Sequence, residues 1–370
     1  MKGEKDMKKI TVALLATSMI LCTGVVGGAV TVHAEENLGT ISCGIHQGGS
    51  ANSAAFLLDQ LELDKKHGFD LELVVSTGPN VFASVSAGEM NVGFLGNGMA
   101  WHYFEENGDI SMLTIDNLTD DDKLMMRKDQ GYKGDGVDTV DDFYETLPGK
   151  TIALDLTTTP GVFFKNLVNT INEGREKPIW YEDVEGAYPE KGDAEMQINI
   201  LNTANANITA AMADKEIDGC ICFGSVKKEF QANKDYTTVA SAKWHLEDML
   251  TPSQYCVNTV WAEENPELVQ AFMDALIEAF DYRSDEANWD TCIEMAMKVD
   301  QLEYDDYDMT CGYYPNREDL KKWFETEDGD GWKYLENIRN SHMGSNGLTD
   351  ENMKDCKDVL LVDYLLKACE

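Results

Sequence analysis

The sequence predicts an α/β protein built from two successive series of strand–helix units, each giving a mostly parallel sheet flanked by helices, with a helical C-terminal extension. Three observations carry this. Short apolar runs alternate with segments of helical periodicity from Ile41 onward, the pattern of βαβ units. An acidic, glycine-containing stretch from Asp116 to Gly136 interrupts the alternation, after which it resumes. Beyond Asp285 helical periodicity dominates, with peaks at Leu320 to Phe324 and Val359 to Leu366.

The first series opens with a strand over Ile41 to Ile45, ended by Gln47-Gly48-Gly49-Ser50. A helix is expected from Ser53 to Lys66, with Phe56, Leu57, Leu61 and Leu63 as its apolar positions and Gly68 as its stop. Strands over Phe69 to Val75, Asn91 to Leu95 and Ile110 to Ile115 follow, separated by short helices over Asn80 to Ala87 and Met99 to Phe104. The stretch Asp116 to Gly136 reads as a polar crossing to a second lobe. There, Val140 to Leu147 is helical, Tyr181 to Gly192 loop-like, Met196 to Ile200 a strand and Ala204 to Lys215 a helix. Cys220 to Phe223 is a strand running into Gly224, followed by a helix over Val226 to Gln231 and a strand over Thr237 to Ala240. Tyr255 to Trp261 reads as a strand returning to the first lobe, and Asn265-Pro266 starts an amphipathic helix with Leu268, Val269, Phe272, Leu276 and Phe280 on one side.

The stretch Thr151 to Phe164, TIALDLTTTPGVFF, concentrates the chemistry. Thr151 to Leu154 reads as a buried strand. Pro160 suits a helix's first turn and threonine suits an N-cap, so a helix should start near Thr159 and run to about Asn172. A hydroxyl-rich turn with free N–H groups and the positive helix end favours an accepting or negative ligand group. An ordinary capped helix accounts for these residues equally well. Asp155 is either an outward-facing strand residue or a partner for an amino-bearing ligand.

The chain has 370 residues, with 30 basic and 67 acidic side chains and a net charge of -37. Such acidity argues against nucleic-acid binding, since phosphates would be repelled over most of the surface. It fits a protein kept dispersed by self-repulsion. Lys8 and Lys9, the apolar run Ile10 to Leu21 and Val32-His33-Ala34 form the three parts of a signal peptide, so residues 1–34 are expected to be removed on export. Met7 offers a second start. Cys22 could carry a lipid anchor, although Leu21 stands where lipidation motifs want a small residue. No other stretch approaches the roughly 18 apolar residues of a membrane span. The remaining eight of nine cysteines are scattered, without zinc-ribbon spacing. Cys220-Ile-Cys222 reads as buried thiols on a strand. No metal and no cofactor is expected.

Five segments in this order resemble the solute-binding proteins of bacterial ABC importers, in the branch serving nitrate, sulfonates, taurine and thiamine pyrimidine precursors. They are SCGIHQGGSANSAAF, SVSAGEMNVGFLGNG, GKTIALDLTTTPGVFF, AAMADKEIDGCICFG and YCVNTVWAEENPELVQAFMDAL, together covering Leu38 to Leu276. The resemblance implies a two-lobed periplasmic-binding-protein-like fold: lobe 1 over 35–120 and 245–370, lobe 2 over 121–244, closing on a small organic or anionic solute and docking on a membrane permease. The partners implied are that solute and that permease, with no nucleic acid, and the chain acting as a monomer outside the cytoplasmic membrane.

Carried over residue by residue, the ligand turns would be Gln47, Gly48, Gly49 and Ser50; Gly96, Asn97 and Gly98; Thr157, Thr158 and Thr159; and Phe223 with Gly224, while His46 and Asp155 stand beside the first and third of them as further candidates. Glycines let backbone approach a ligand, and the hydroxyls and Gln47 donate or accept. Trp101, with His102 and Tyr103, either walls the pocket or packs in the core. Two departures stand out. No tryptophan follows Phe223, where many relatives have one, and no arginine lies in any turn, which argues against nitrate or a simple sulfonate.

Three functions compete. The first is a non-catalytic binding protein for import. The second is an enzyme like the fungal branch that makes the thiamine pyrimidine from its own histidine and lysine-bound pyridoxal phosphate. For that, His46 would be the histidine to watch, but only Cys256 stands where that branch has a cysteine cluster. The third is a surface interaction protein on the same fold, using its aromatic C-terminal region. The first is the expected function.

Overall fold

The computed structural model describes residues 37–46, 53–96, 104, 108–184, 186–246, 250–342 and 349–370. The expected signal peptide with Cys22 lies outside the described residues. So do Gln47, Gly48, Gly49, Ser50, Asn97, Gly98, Trp101, His102 and Tyr103.

Two sheets organise the chain. The first contains β1 (Thr40–His46), β2 (Asp70–Ser76), β3 (Val92–Gly96), β4 (Ile110–Thr119), β12 (Thr251–Asn258) and β13 (Gly312–Tyr313), in the order β13-β4-β12-β3-β1-β2. The second contains β5 (Lys123–Arg127), β6 (Thr151–Leu154), β7 (Trp180–Asp183), β8 (Gly186–Tyr188), β9 (Gln197–Asn202), β10 (Gly219–Cys222) and β11 (Tyr236–Ser241), in the order β11-β5-β10-β6-β9-β7-β8. The strands joined by crossover helices run parallel: β1 with β2 and β3, and β6 with β9 and β10. The strands that carry the chain between sheets pair antiparallel: β5 with β10 and β11, and β12 with β3 and β4.

The chain passes from the first sheet to the second over Asp120–Asp122 and returns over 242–250. The polar crossing expected over Asp116 to Gly136 is therefore three residues long. The strand β4 continues to Thr119 and β5 begins at Lys123. Polarity concealed both, because Asp116 and Asn117 are fully buried inside β4, where Arg283 compensates the carboxylate. Tyr181 to Gly192 likewise holds two strands rather than a loop. Trp180 and Tyr181 are buried, and Tyr181 packs on Phe164 and Tyr188 at centroid distances of 5.0 and 5.7 Å, a setting that favours strand. The returning strand starts and ends earlier than expected, and Thr259–Glu264 is a helix capped by the Asn258 side chain. The helix expected over Ser53 to Lys66 is two pieces, Ala55–Gln60 and Leu63–Lys66, broken at Glu62, whose φ is 53°.

Local signals set the long helices. Thr159–Asn172 starts with Pro160 in its first turn and buries Phe163, Phe164, Leu167, Val168 and Ile171. Pro266–Ser284 buries Leu268, Val269, Phe272, Leu276 and Phe280, the side its periodicity marks. Each sheet has its own core. The first groups Phe56, Val81, Phe94, Tyr255, Phe272 and Phe280 among others, and the second groups Phe143, Phe164, Leu167 and Tyr181.

The C-terminal region adds β13 beside β4 and the helices Trp289–Asp300, Arg317–Phe324, Asp330–His342, Cys356–Val359 and Val362–Ala368. It touches the flanks of both sheets. Val362–Ala368 packs on Pro266–Ser284, while Asp330–His342 packs on Thr159–Asn172. The Lys228 ammonium donates to the Tyr307 carbonyl at 2.7 Å and to the Asp305 carbonyl. Among the described residues no disulfide is formed, and Cys220 and Cys222 are buried on β10. Among the described residues no helix is long and apolar enough to cross a membrane.

Candidate functional site

The turn after β6 is built by its own short polar side chains. The Asp155 carboxylate accepts from the Thr157 N–H at 3.0 Å and the Thr157 hydroxyl at 2.7 Å. The Thr158 hydroxyl donates to the Asp155 carbonyl at 3.2 Å and makes no cap bond to the helix. Gly161 is required here, since a Cβ would sit 2.2 Å from the Leu156 carbonyl oxygen. Asp155 is half-buried and engaged within its turn, leaving Thr157 exposed and Thr159 facing inward to the crossing.

The turn after β10 is similarly committed. Gly224 has φ of 58°, a conformation that glycine adopts without penalty. The Phe223 N–H donates to the Asn205 side-chain oxygen at 3.4 Å, and the Phe223 carbonyl accepts from its amide nitrogen at 3.3 Å. The Gly224 N–H donates to Asp121 Oδ2 at 3.0 Å.

From the first sheet, β3 delivers Gly96 to the second. A Cβ on Gly96 would lie 3.4 Å from Thr159 Cγ2, so these two expected turns, from different sheets, meet. His46 at the end of β1 stacks on Phe94 with centroids 5.0 Å apart. The structure thus brings Gly96 and Thr159 together and sets Gly224 against the Asp120–Asp122 crossing, while Asp155 and Thr157 are bound within their own turn and Phe223 is bound to Asn205.

The three residues of the crossing connect these parts. Asp120 forms a salt bridge with Lys123 and accepts from the Lys243 N–H at 3.0 Å. Asp121 holds the Gly224 N–H and the buried Lys227 ammonium, which also lies 3.4 Å from Asp308. Burial pulls the Lys227 pKa down, but the charge and hydrogen bond of Asp121 together with Cys311 and Asp308 outweigh it and the net shift is upward. Asp122 accepts from the Thr159 hydroxyl at 3.1 Å and the Thr251 hydroxyl at 3.4 Å. Burial, and then the charge of Asp121, raise the Asp122 pKa to about 7, against the pull of Thr159, Thr251 and Lys123.

A further internal carboxylate plays the same part on the first sheet. Asp116 accepts from the Ala54 N–H at 3.3 Å, and its other oxygen from Arg283 at 2.8 Å. The Tyr255 hydroxyl accepts from the Ala55 N–H at 2.7 Å and bonds the Ser53 hydroxyl at 2.7 Å. The Ala54 and Gly224 N–H groups at two helix starts are therefore met by Asp116 and Asp121, and the Thr159 hydroxyl at a third by Asp122. Sequence reasoning missed these three aspartates, with Thr251, Tyr255 and Arg283. The run Asp120-Asp121-Asp122 was the available signal. Gln254, between Leu95 and Ile115 in the sheet, is fully buried, and among the described residues neither polar atom of its side chain has a partner. Among the described residues no group of three or more His, Cys, Asp or Glu side chains is placed to hold a metal.

No curated protein matches the chain by sequence. The family described as NMT1/THI5 like matches residues 185–286. Among solved structures, a periplasmic sulfonate-binding protein of a sulfonate ABC transporter from Methylobacillus flagellatus is similar with a TM-score of 0.64 and 17% identity, over 90% of this chain and 94% of that one. The periplasmic nitrate-binding protein of Synechocystis gives a TM-score of 0.62 and 12% identity, over 90% and 88%. A Candida albicans protein exhibiting the generic periplasmic binding protein structural fold gives 0.56 and 13%, over 89% and 94%. With two sheets, two crossings and these likenesses, the chain has the two-lobed periplasmic-binding-protein fold.

Proposed function

We propose that the chain is an extracytoplasmic solute-binding protein, which captures a small solute between two lobes and presents it unaltered to the membrane permease of an ABC importer. The observation that carries this reading is the meeting of Gly96 from the first sheet with Thr159 from the second, beside the Asp120–Asp122 crossing. In this reading lobe 1 comprises 35–120 and 245–370, lobe 2 comprises 121–244, and the two crossings are the hinge about which they close. Export through the N-terminal signal and action as a monomer belong to the same proposal. The likenesses support it, since the sulfonate- and nitrate-binding proteins are binding components rather than enzymes.

The charge of the site sharpens the ligand class. Asp116 and Asp121 already accept from helix-start N–H groups and Asp122 from the Thr159 hydroxyl, so a bare anion would meet partly occupied donors and neighbouring carboxylates. A small organic solute bearing an amine or other donors fits better than nitrate or a simple sulfonate. The test is a thermal-shift panel of organic amines, pyrimidines, neutral heterocycles, nitrate and sulfonates. Stabilisation by an organic donor-bearing solute, at one site per chain, is expected. Failure of every solute to stabilise the protein would overturn the importer reading; stabilisation by nitrate or sulfonate alone would overturn the ligand class.

A further inference from the structure

The C-terminal extension is anchored on the first sheet yet reaches the second in two places. Gly312 and Tyr313 lengthen the first sheet beside β4, and Tyr307, Met309 and Tyr314 are buried in its core. From that anchorage residues 305–311 meet the Asp120–Asp122 crossing, where the Asp120 N–H donates to the Cys311 carbonyl at 2.9 Å. On the far side of the crossing stands the helix Gly224–Ala232. Its Lys228 ammonium donates to the Tyr307 carbonyl at 2.7 Å and to the Asp305 carbonyl. Its Lys227, with a side chain 2% exposed, lies between Asp121 of the crossing and Asp308 of the extension.

The second contact is on the other face of the second sheet. Side chains alternate along β6 and β10. Ile152, Leu154 and Ile221 pack with Phe163, Phe164 and Leu167 of the helix Thr159–Asn172, whereas Ala153, Cys220 and Cys222 pack with Phe230 of Gly224–Ala232. Those two helices therefore cover opposite faces, and they begin at two of the turns discussed above, at Thr159 and Gly224. Asp330–His342 of the extension packs on the first helix, and residues 305–308 grip the second. A contact on one face alone would let the second sheet swing away from it. Held on both, a swing toward either face parts one of the contacts.

We infer that the C-terminal extension is a clamp, which holds the lobes in the arrangement where Gly96 meets Thr159 even without solute. Its catch is Lys227 on Asp308 and Lys228 on the carbonyls of Asp305 and Tyr307, and the catch parts when the cleft opens. Hydrogen bonds from an ammonium are stronger than neutral ones, which suits a contact that must hold two lobes together. Release is feasible because Lys227 keeps Asp121 when Asp308 withdraws, so the buried ammonium is never left without a carboxylate. The inference rests on reading the two crossings as a hinge, and it is independent of which solute binds.

The test is small-angle scattering and hydrogen exchange of the purified protein without solute, comparing the parent with Lys228→Met, Asp308→Asn and the double variant. Asp308→Asn keeps the oxygen that accepts from Thr310 and leaves Lys227 on Asp121, and methionine keeps most of the aliphatic length of the half-buried Lys228. The double variant is expected to have a larger radius of gyration than the parent and to exchange the Asp120 amide about tenfold faster. Amides of Thr151–Leu154 and Pro266–Ser284 should exchange as in the parent. If the double variant loses that core protection, Lys228→Met alone decides by the same two readouts. A double variant with the parent's radius and the parent's Asp120 protection would overturn the clamp. So would a parent already as expanded as the double variant. Neither readout uses a solute, so a panel in which nothing binds would sink the importer reading and leave this test intact.

Discussion

The Asp122 carboxylate accepts the Thr159 hydroxyl at 3.1 Å, across 37 residues of sequence and from one sheet's crossing to the other sheet's helix. The same carboxylate takes the Thr251 hydroxyl of the returning strand at 3.4 Å. One side chain thus ties both crossings to the turn expected to touch the ligand. It does so at a position where burial penalises its charge.

That penalty has a pH signature. The Asp122 pKa is raised to about 7 in the folded chain, from an ordinary 3.8. The folded state therefore holds the proton more tightly, so the contribution to stability is full below pH 3.8 and is lost as pH rises through about 7. The difference is worth up to about 4 kcal/mol. Asp122→Asn should be more stable than the parent at pH 8, with an advantage that shrinks toward pH 4. Urea unfolding across this range measures it, and a constant difference at all pH values would refute it.

Arg283 and Asp116 form an ion pair with both side chains fully buried. Burial lowers the Arg283 pKa, but Asp116 together with Tyr255 and Tyr314 more than restores it and the shift is upward. Removing one partner leaves an uncompensated buried charge, so Arg283→Met should cost about 3–5 kcal/mol. Adding Asp116→Asn should recover much of this loss. Denaturant unfolding of the single and double variants tests the coupling, which additivity of the two changes would disprove.

What was legible in the sequence follows from the range of the interactions. The strand Thr151–Leu154 and the helix Thr159–Asn172 are written in neighbouring residues: an apolar run, threonines, Pro160, then apolar positions at helical spacing. The amphipathic helix from Pro266 is written the same way. In contrast, Asp116, Asn117 and Asp120–Asp122 look like a solvated loop, because what makes them structural is distant: Arg283, Gly224, Thr159 and Lys243. The donor-rich turns were visible at Thr157 to Thr159 and Gly224. That internal carboxylates already use some of those donors depended on tertiary pairing that no local pattern encodes.

Two glycines should be intolerant for different reasons. At Gly224 the φ of 58° strains any L side chain, so Gly224→Ala should cost about 1–2 kcal/mol. At Gly161 the backbone angle is ordinary, but a Cβ would lie 2.2 Å from the Leu156 carbonyl oxygen. Gly161→Ala must then shift the first turn of the helix, at about 1–3 kcal/mol. Gly78→Ala is the control, because nothing lies within 4 Å of a Cβ there. Thermal melts of the three should place Gly78→Ala near the parent; equal effects at all three sites would contradict the geometry.

Gly96 separates a stability effect from a binding effect. Its backbone pairs with Ser253 on β12, an interaction any residue could keep, while its missing side chain leaves room for Thr159, 3.4 Å from where a Cβ would be. Gly96→Leu places a larger side chain between the sheets, and the least costly response is for the lobes to stay apart, since the two cores need not change. The expected outcome is a folded protein with a larger radius of gyration by small-angle scattering and roughly tenfold or weaker affinity for whichever solute stabilises the parent. Thr159→Ala in the same background should relieve part of the effect, because it removes the Cγ2 that the new side chain meets. Unchanged affinity in Gly96→Leu, with unchanged scattering, would mean that the meeting of Gly96 and Thr159 is packing alone and that the solute is held elsewhere.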